Sequence, residues 1–313
     1  MRTSKFNLSI FLLSFPFGIS IFLSMETAKD RENYLRFMSN PFEETRFEPG
    51  FVLFARISSV VLTPELSLLL ISLTTFSLLA YTWRKIYVGG YISSVLSFHM
   101  SVYLFFNYFT GTAIRNGLAA ALVLSLFAAV YSRRSRLFKY VLLLGPAFHL
   151  GTGIVAPLSW LILQVQQFKY WIGIGIAGSV AAIFSLTLIL PIFLHSDYYL
   201  SYLEAGNFGT QRFRSYSMIL YAFFLILILL HRRRDIWFGF AVIPLPLLVF
   251  YLITGINAFQ RFLMPFFFVA SATAFSRYAP IVGKLIGNNT YLLLLILGNF
   301  LGLAYAYQQW GLF

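Results

Sequence analysis

Arg115, His149 and Arg261 are ionisable side chains in or at the edge of long apolar runs. A charged group inside a bilayer costs about 2.5–3.5 kcal/mol on insertion scales, so each one that is kept asks for a reason. Arg115 opens its run in Thr112-Ala113-Ile114-Arg115-Asn116. His149 lies between Gly145-Pro146 and the glycines Gly151 and Gly153, and Arg261 follows Asn257 and Gln260. The polar segments between runs add Asp30, Arg31, Glu48, Asp197, Glu204, Arg212 and Arg214. Arginine presents a planar fork that binds phosphate through two hydrogen bonds and keeps its charge. A carboxylate or an imidazole can take the proton from a hydroxyl. The combination suits a phosphate-linked lipid substrate. Plainer roles stand beside this one. Arg115 and Arg261 could snorkel to headgroups, and His149 could bond a carbonyl freed at Gly145-Pro146. His99, in the middle of a run with no charged neighbour in sequence, reads as structural.

Other chemistries are absent from the sequence. Without cysteine there are no disulfides, thiolate metal ligands or cysteine nucleophiles. There is no Walker loop, dinucleotide fingerprint or His-Glu-x-x-His zinc motif. No Asp-x-Asp pair marks a sugar-nucleotide metal site, so catalysis is expected to need neither metal nor cofactor.

The elements that carry these residues are membrane helices. Of 313 residues, 59% are hydrophobic and 11% charged, too few charges to cover a soluble domain of this size. A bilayer core about 30 Å thick takes roughly 20 apolar residues as helix. Phe6–Leu23, Leu66–Thr82, Tyr91–Phe109, Ile114–Tyr131, Tyr170–Leu190, Met218–Leu230, Ile236–Thr254, Phe259–Phe275 and Tyr291–Tyr307 meet or approach that length. They do not alternate in polarity as barrel strands would. The fold expected is all-α and polytopic, a single transmembrane domain over residues 1–313 with about 10–11 crossing helices. The first run, after Arg2 and Lys5, reads as a retained signal anchor. Leu137–Leu163 is long and interrupted by Gly145-Pro146, Gly151, Gly153 and Pro157, so two short helices meeting near His149 are expected. Phe51–Leu62 is too short to cross and carries Arg56, which suits an interfacial or re-entrant segment.

The net charge of +13 follows from cytoplasmic loops rather than from a nucleic-acid partner. Basic clusters at Arg84-Lys85, at Arg133-Arg134 with Arg136 and Lys139, and at Arg232-Arg233-Arg234 all fall inside if the N-terminus does. The polar loops over residues 25–65 and 191–215 then lie outside, and every acidic residue except Asp235 goes with them. Arg115, His149 and Arg261 reach the same outer level.

Taken in order, these landmarks resemble the EpsG family of bacterial exopolysaccharide polymerases, which are Wzy-like. Asp30-Arg31-Glu32-Asn33-Tyr34 resembles the family's acidic-Tyr segment, and Phe47-Glu48-Pro49-Gly50-Phe51 its Glu-x-Gly-Phe element. Arg115-Asn116-Gly117-Leu118-Ala119 resembles its Arg-Gln-x-x-Ala helix start, with Asn116 in place of Gln. Phe148-His149-Leu150-Gly151 resembles its Phe-His-x-Ser element, with Gly151 in place of Ser, and Arg261-Phe262 fits its late arginine. The resemblance implies a glycosyltransferase that joins undecaprenyl-pyrophosphate-linked repeat units on the outer face of the bacterial inner membrane. It implies catalytic roles for Arg115, Arg261, Glu48 and His149, with Glu48 or His149 as the base. Substrate contacts would come from Asp30, Arg31, Tyr34, Asn116, Arg212 and Arg214. A chain-length regulator and export proteins are the protein partners it suggests. A lipid-linked sugar flippase or transporter, a polysaccharide ligase and an acyltransferase are the alternatives.

Overall fold

Apolar runs too long to be soluble helices become helices here because a bilayer leaves no other way to pair the backbone. The computed structural model describes residues 31–42, 47–106, 114–133, 144–149, 152–164, 168–184, 216–231, 233–254 and 257–309. The expected first span Phe6–Leu23, the loop 191–215 and the residues Asp30, Arg212 and Arg214 lie outside them. Among the described residues the structure is all-α, with no strand, and the chain is a polytopic membrane protein.

The helices are α1 (Arg31–Ser39), α2 (Pro49–Ser58), α3 (Pro64–Ile86), α4 (Tyr91–Phe106), α5 (Ile114–Arg133), α6 (Thr152–Gln164), α7 (Phe168–Phe184), α8 (Tyr216–Leu230), α9 (Ile236–Val242), α10 (Leu245–Thr254), α11 (Asn257–Ile286) and α12 (Asn288–Gln309). Pro64–Ile86, Ile114–Tyr131 and Ile236–Ile253 are long and apolar enough to cross a membrane. Large apolar side chains stand outward at helical spacing, as Ile219, Phe223, Ile226 and Leu230 do on α8 and Ile172, Ile176 and Val180 on α7. Stripes of this kind suit lipid and would be a liability in water.

The chain divides into two compact units, Met1–Ala156 with Phe275–Phe313, and Pro157–Ala274. In the first, α3 packs along α5, α4 along α12, and α1 against α2 and α3. Small residues let α5 come close: Ala119, Ala120 and Ala121 are fully buried with Val123, Leu124 and Phe127. Two buried hydroxyls of α3 are satisfied inside the helix, Thr75 Oγ1 donating to Ile71 O at 2.9 Å and Thr82 Oγ1 to Leu78 O at 3.0 Å. Thr63 caps α3 by accepting from Leu66 N–H at 3.3 Å. Across α4 and α12, Asn299 Nδ2 donates to Leu96 O at 2.9 Å.

In the second unit, α7 packs on α9 and α10. Gly239 of α9 lies flat on the Trp171 ring of α7, where a Cβ would stand 2.7 Å from the ring carbons. Tyr221 of α8 donates to Ala241 O at 2.9 Å and stacks on Phe267 of α11 at 5.3 Å. The basic cluster does more here than orient the chain. Arg234 donates to Ile228 O at 3.3 Å, to Leu229 O at 2.9 Å and to His231 O, closing the carbonyl end of α8. Asp235 caps α9 through Phe238 N–H at 3.0 Å and pairs with Arg233 at 2.9 Å.

The expected span Ile236–Thr254 is long and apolar enough to cross, with its helix interrupted at Ile243-Pro244, since Pro244 and Pro246 supply no N–H to continue the ladder. Of the expected pair over Leu137–Leu163, residues 137–143 lie outside the described residues; helix over 144–148 stops at His149 and α6 starts at Thr152, so the break falls where it is expected. Thr152 closes this break by donating to His149 O from both N (3.0 Å) and Oγ1 (2.8 Å).

Candidate functional site

Glu48 is the N-cap residue of α2, in an extended conformation (φ −66°, ψ 149°) with Pro49 opening the helix. The Glu48 side chain makes no capping bond to its own helix. It reaches across to α5, where Arg115 Nη1 donates to Glu48 Oε2. Glu48 is 7% exposed and Arg115 20%, so the pair lies largely out of water. Residues 67 apart in sequence thus meet in one buried ion pair.

Aromatic rings enclose it. Tyr34 of α1 accepts from Arg115 Nε at 3.4 Å. The guanidinium carbon stands 4.5 Å from the centroid of Phe47, 5.8 Å from Phe51 and 5.9 Å from Tyr34. All three lie within the ~6 Å reach of a cation–π contact, and Phe47 is the nearest. The rings hold one another: Phe37 meets Phe47 edge-on at 4.6 Å, Phe47 meets Phe51 at 5.5 Å, and Tyr34 stacks on Phe47 at 6.0 Å. Arg56, the charge expected in the interfacial segment, ties α2 to the end of α1 by donating to Pro41 O at 3.1 Å. At ten residues α2 is about 15 Å long, half a bilayer core.

Two glycines dock the His149 segment onto this cluster. A Cβ on Gly50 would lie 2.7 Å from Ala147 O and 2.9 Å from Ala147 C, so only glycine lets α2 approach that backbone. Gly145 fits the same way between Val123 of α5 and Thr152 Oγ1. His149 N–H donates to Gly145 O at 3.0 Å, one turn on. The start of α2, the face of α5 and the segment over 144–149 therefore meet around one place.

Asn116 follows Arg115 on α5 and is 2% exposed. Its Nδ2 finds no hydrogen-bond partner among the described residues. Asn116 lies two turns from Val123 on the face that receives Gly145. A buried donor left unpaired is the exception in native proteins.

Of the residues singled out in the sequence, the structure brings Tyr34, Glu48 and Arg115 into contact, buries Asn116 on the Val123 face of α5, and places His149 on the segment docked at Gly50. Arg31 opens α1 one turn before Tyr34. Arg261 lies in the first turns of α11 within the second unit, and its side chain is outside the described residues. Phe37, Phe47 and Phe51 were not expected as site residues. Tyr34, Phe37 and Phe51 are buried. The available signal was the placing of Phe47 and Phe51 on either side of Glu48 in Phe47-Glu48-Pro49-Gly50-Phe51.

No curated protein and no solved structure matches the chain. The EpsG family model matches residues 6–311, nearly its whole length. That extent takes in every element described above, and the chain belongs to the EpsG family.

Proposed function

We propose that this protein polymerises exopolysaccharide by joining oligosaccharide repeat units carried on undecaprenyl pyrophosphate, at the outer face of the bacterial cytoplasmic membrane. Membership of the EpsG family supports an exopolysaccharide polymerase-like role. The observation that carries the finer reading is the enclosed Arg115–Glu48 pair: a fork for phosphate and a carboxylate for a hydroxyl proton, at one helix start. The basic clusters and acidic loops support the outward orientation.

In this scheme the acceptor sugar hydroxyl gives its proton to Glu48, and its oxygen attacks the anomeric carbon of the donor chain. The bond from that carbon to phosphate oxygen breaks, and the carrier pyrophosphate leaves with the electron pair. Arg115 stabilises the charge that develops on it, and Arg261 is assigned the same task. His149 is the other candidate base. Asp30, Arg31, Tyr34, Asn116, Arg212 and Arg214 are assigned to the sugar and phosphate groups. A chain-length regulator and export proteins are the partners such a polymerase would need.

The test is the lipid-linked glycan pool of a strain lacking the protein. Single repeat units on the carrier, exposed at the outer face, are expected to accumulate. Units trapped on the inner face would indicate a flippase. Completed polymer left on its carrier would indicate a ligase, and polymer of normal length lacking acyl groups an acyltransferase. An impermeant thiol reagent on intact cells should reach a cysteine at Asn40 and not one at Arg233; the reverse would remove the outward-facing site.

A further inference from the structure

We infer that Gly50 and Thr152 are positioning residues that hold His149 at the same centre as the Arg115–Glu48 pair, so that one acceptor sugar meets both groups. The inference rests on the polymerase reading and adds what sets the spacing of the site.

The contact between α2 and the segment over 144–149 is made backbone to backbone. A Cβ on Gly50 would meet Ala147 O at 2.7 Å and Ala147 C at 2.9 Å, closer than real Cβ atoms come. Neither obstacle can turn aside as the end of a side chain could, so any larger residue would push α2 and the segment apart. Glu48 lies two residues before Gly50, and His149 two after Ala147. Two Cα steps cover at most about 8 Å, so both residues start close to this one contact.

The backbone of His149 is tied on both sides. Its N–H donates to Gly145 O at 3.0 Å, and its carbonyl accepts from Thr152 N at 3.0 Å and from Thr152 Oγ1 at 2.8 Å. Thr152 is buried, whereas His149 is half-buried and within reach of a substrate. A break in a membrane helix needs its carbonyls satisfied in any case. That need accounts for Thr152 holding the break together. It does not account for Gly50, which takes part in none of those bonds and brings the break against the helix that Glu48 opens. Spacing of this kind matters to chemistry, where a misplacement of about 1 Å can cost about 10²-fold in rate.

The test is a double-mutant cycle on kcat, for polymerisation of lipid-linked repeat units by purified full-length protein in nanodiscs. Gly50→Ala should lower kcat by roughly ten- to a hundredfold with little change in KM. Gly153→Ala is the control: a Cβ there meets nothing within 4 Å, and polymer should form at the normal rate. In a His149→Gln background, Gly50→Ala should cost less than about threefold, because the group it misplaces is already gone. Losses that multiply in the double variant mean that Gly50 does not act through His149 and overturn the inference. A normal rate for Gly50→Ala, or for His149→Gln alone, overturns it too. Should Gly50→Ala fail to accumulate in the membrane, Thr152→Val carries the same cycle with the same expected non-additivity. Valine has nearly the shape of threonine and removes only the Oγ1 bond to His149 O. Absence of polymer from the parent protein itself is a different result: it overturns the polymerase reading, and the inference with it.

Discussion

Replacing Arg115 by lysine should lower polymer formation by about 10²–10³-fold, the scale on which a single oxyanion-stabilising group acts. Lysine keeps the positive charge but is a compact point donor. One ammonium cannot bond Glu48, reach Tyr34 Oη and lie flat over Phe47, as the guanidinium does. The measurement is polymerisation of lipid-linked repeat units by purified protein, with the amount in the membrane compared beforehand. Alanine makes a poorer test, because it leaves Glu48, 7% exposed, without its counter-charge. Stranding one partner of a buried pair costs about 3–5 kcal/mol, enough to confuse misfolding with lost chemistry. Arg261→Lys should fall in the same direction. Had the two arginines merely snorkelled to headgroups, both lysine variants would give normal polymer, and that result removes the phosphate clamp from the mechanism.

The spans were legible in the sequence because the bilayer selects for apolar length, which hydropathy reports directly. It reports less about where helices stop. Phe259–Phe275 marks an apolar stretch, yet α11 runs from Asn257 to Ile286, carrying Arg277 and Lys284 past that stretch within the same helix. It ends at Gly287, whose φ of 85° is a conformation glycine adopts without strain. Leu66–Thr82 likewise lies inside the longer α3, which Thr63 caps at one end and Arg84-Lys85 finish at the other. The interruption of the helix inside the Ile236–Thr254 span was written in Pro244 and Pro246.

The site was legible as residue types and not as contacts. Arg115 and Glu48 stood out because charge near a membrane is scarce. Their pairing depends on α2 folding back over the start of α5, and no local pattern encodes that. The rings around Arg115 were hidden by abundance: with 36 Phe and 19 Tyr, no single aromatic is conspicuous. Gly50 was visible only as one letter of a short motif, and its reason, the backbone of Ala147, lies almost a hundred residues away. Arg234 shows the opposite case, a charge whose topological reading was simple enough to conceal its bonds to the end of α8.

Glu48→Gln should slow polymer formation by about 10²–10⁴-fold, the usual contribution of a general base, while repeat units still bind. Glutamine is nearly isosteric and keeps an oxygen that can accept from Arg115, so α2 and the ring cluster retain their shape. What it loses is the capacity to take the acceptor's proton. The loss should therefore fall on kcat, with KM unchanged or lower; a residue needed only to position Arg115 would raise KM instead. The pH dependence gives a second readout. A general base acts only when deprotonated, so the rate of the intact protein should climb with pH up to its optimum, and Glu48→Gln should flatten that climb. His149→Gln is the paired comparison, since glutamine is polar but no comparable base. If His149→Gln shows the kcat loss and the flattened profile while Glu48→Gln stays near normal, the base is His149, and Glu48 is left with the ion pair alone. If both variants polymerise at near-normal rates, neither is the base. The acidic residues Asp30, Asp197 and Glu204 then come next, beside a reaction driven by departure of the pyrophosphate with little call on a base.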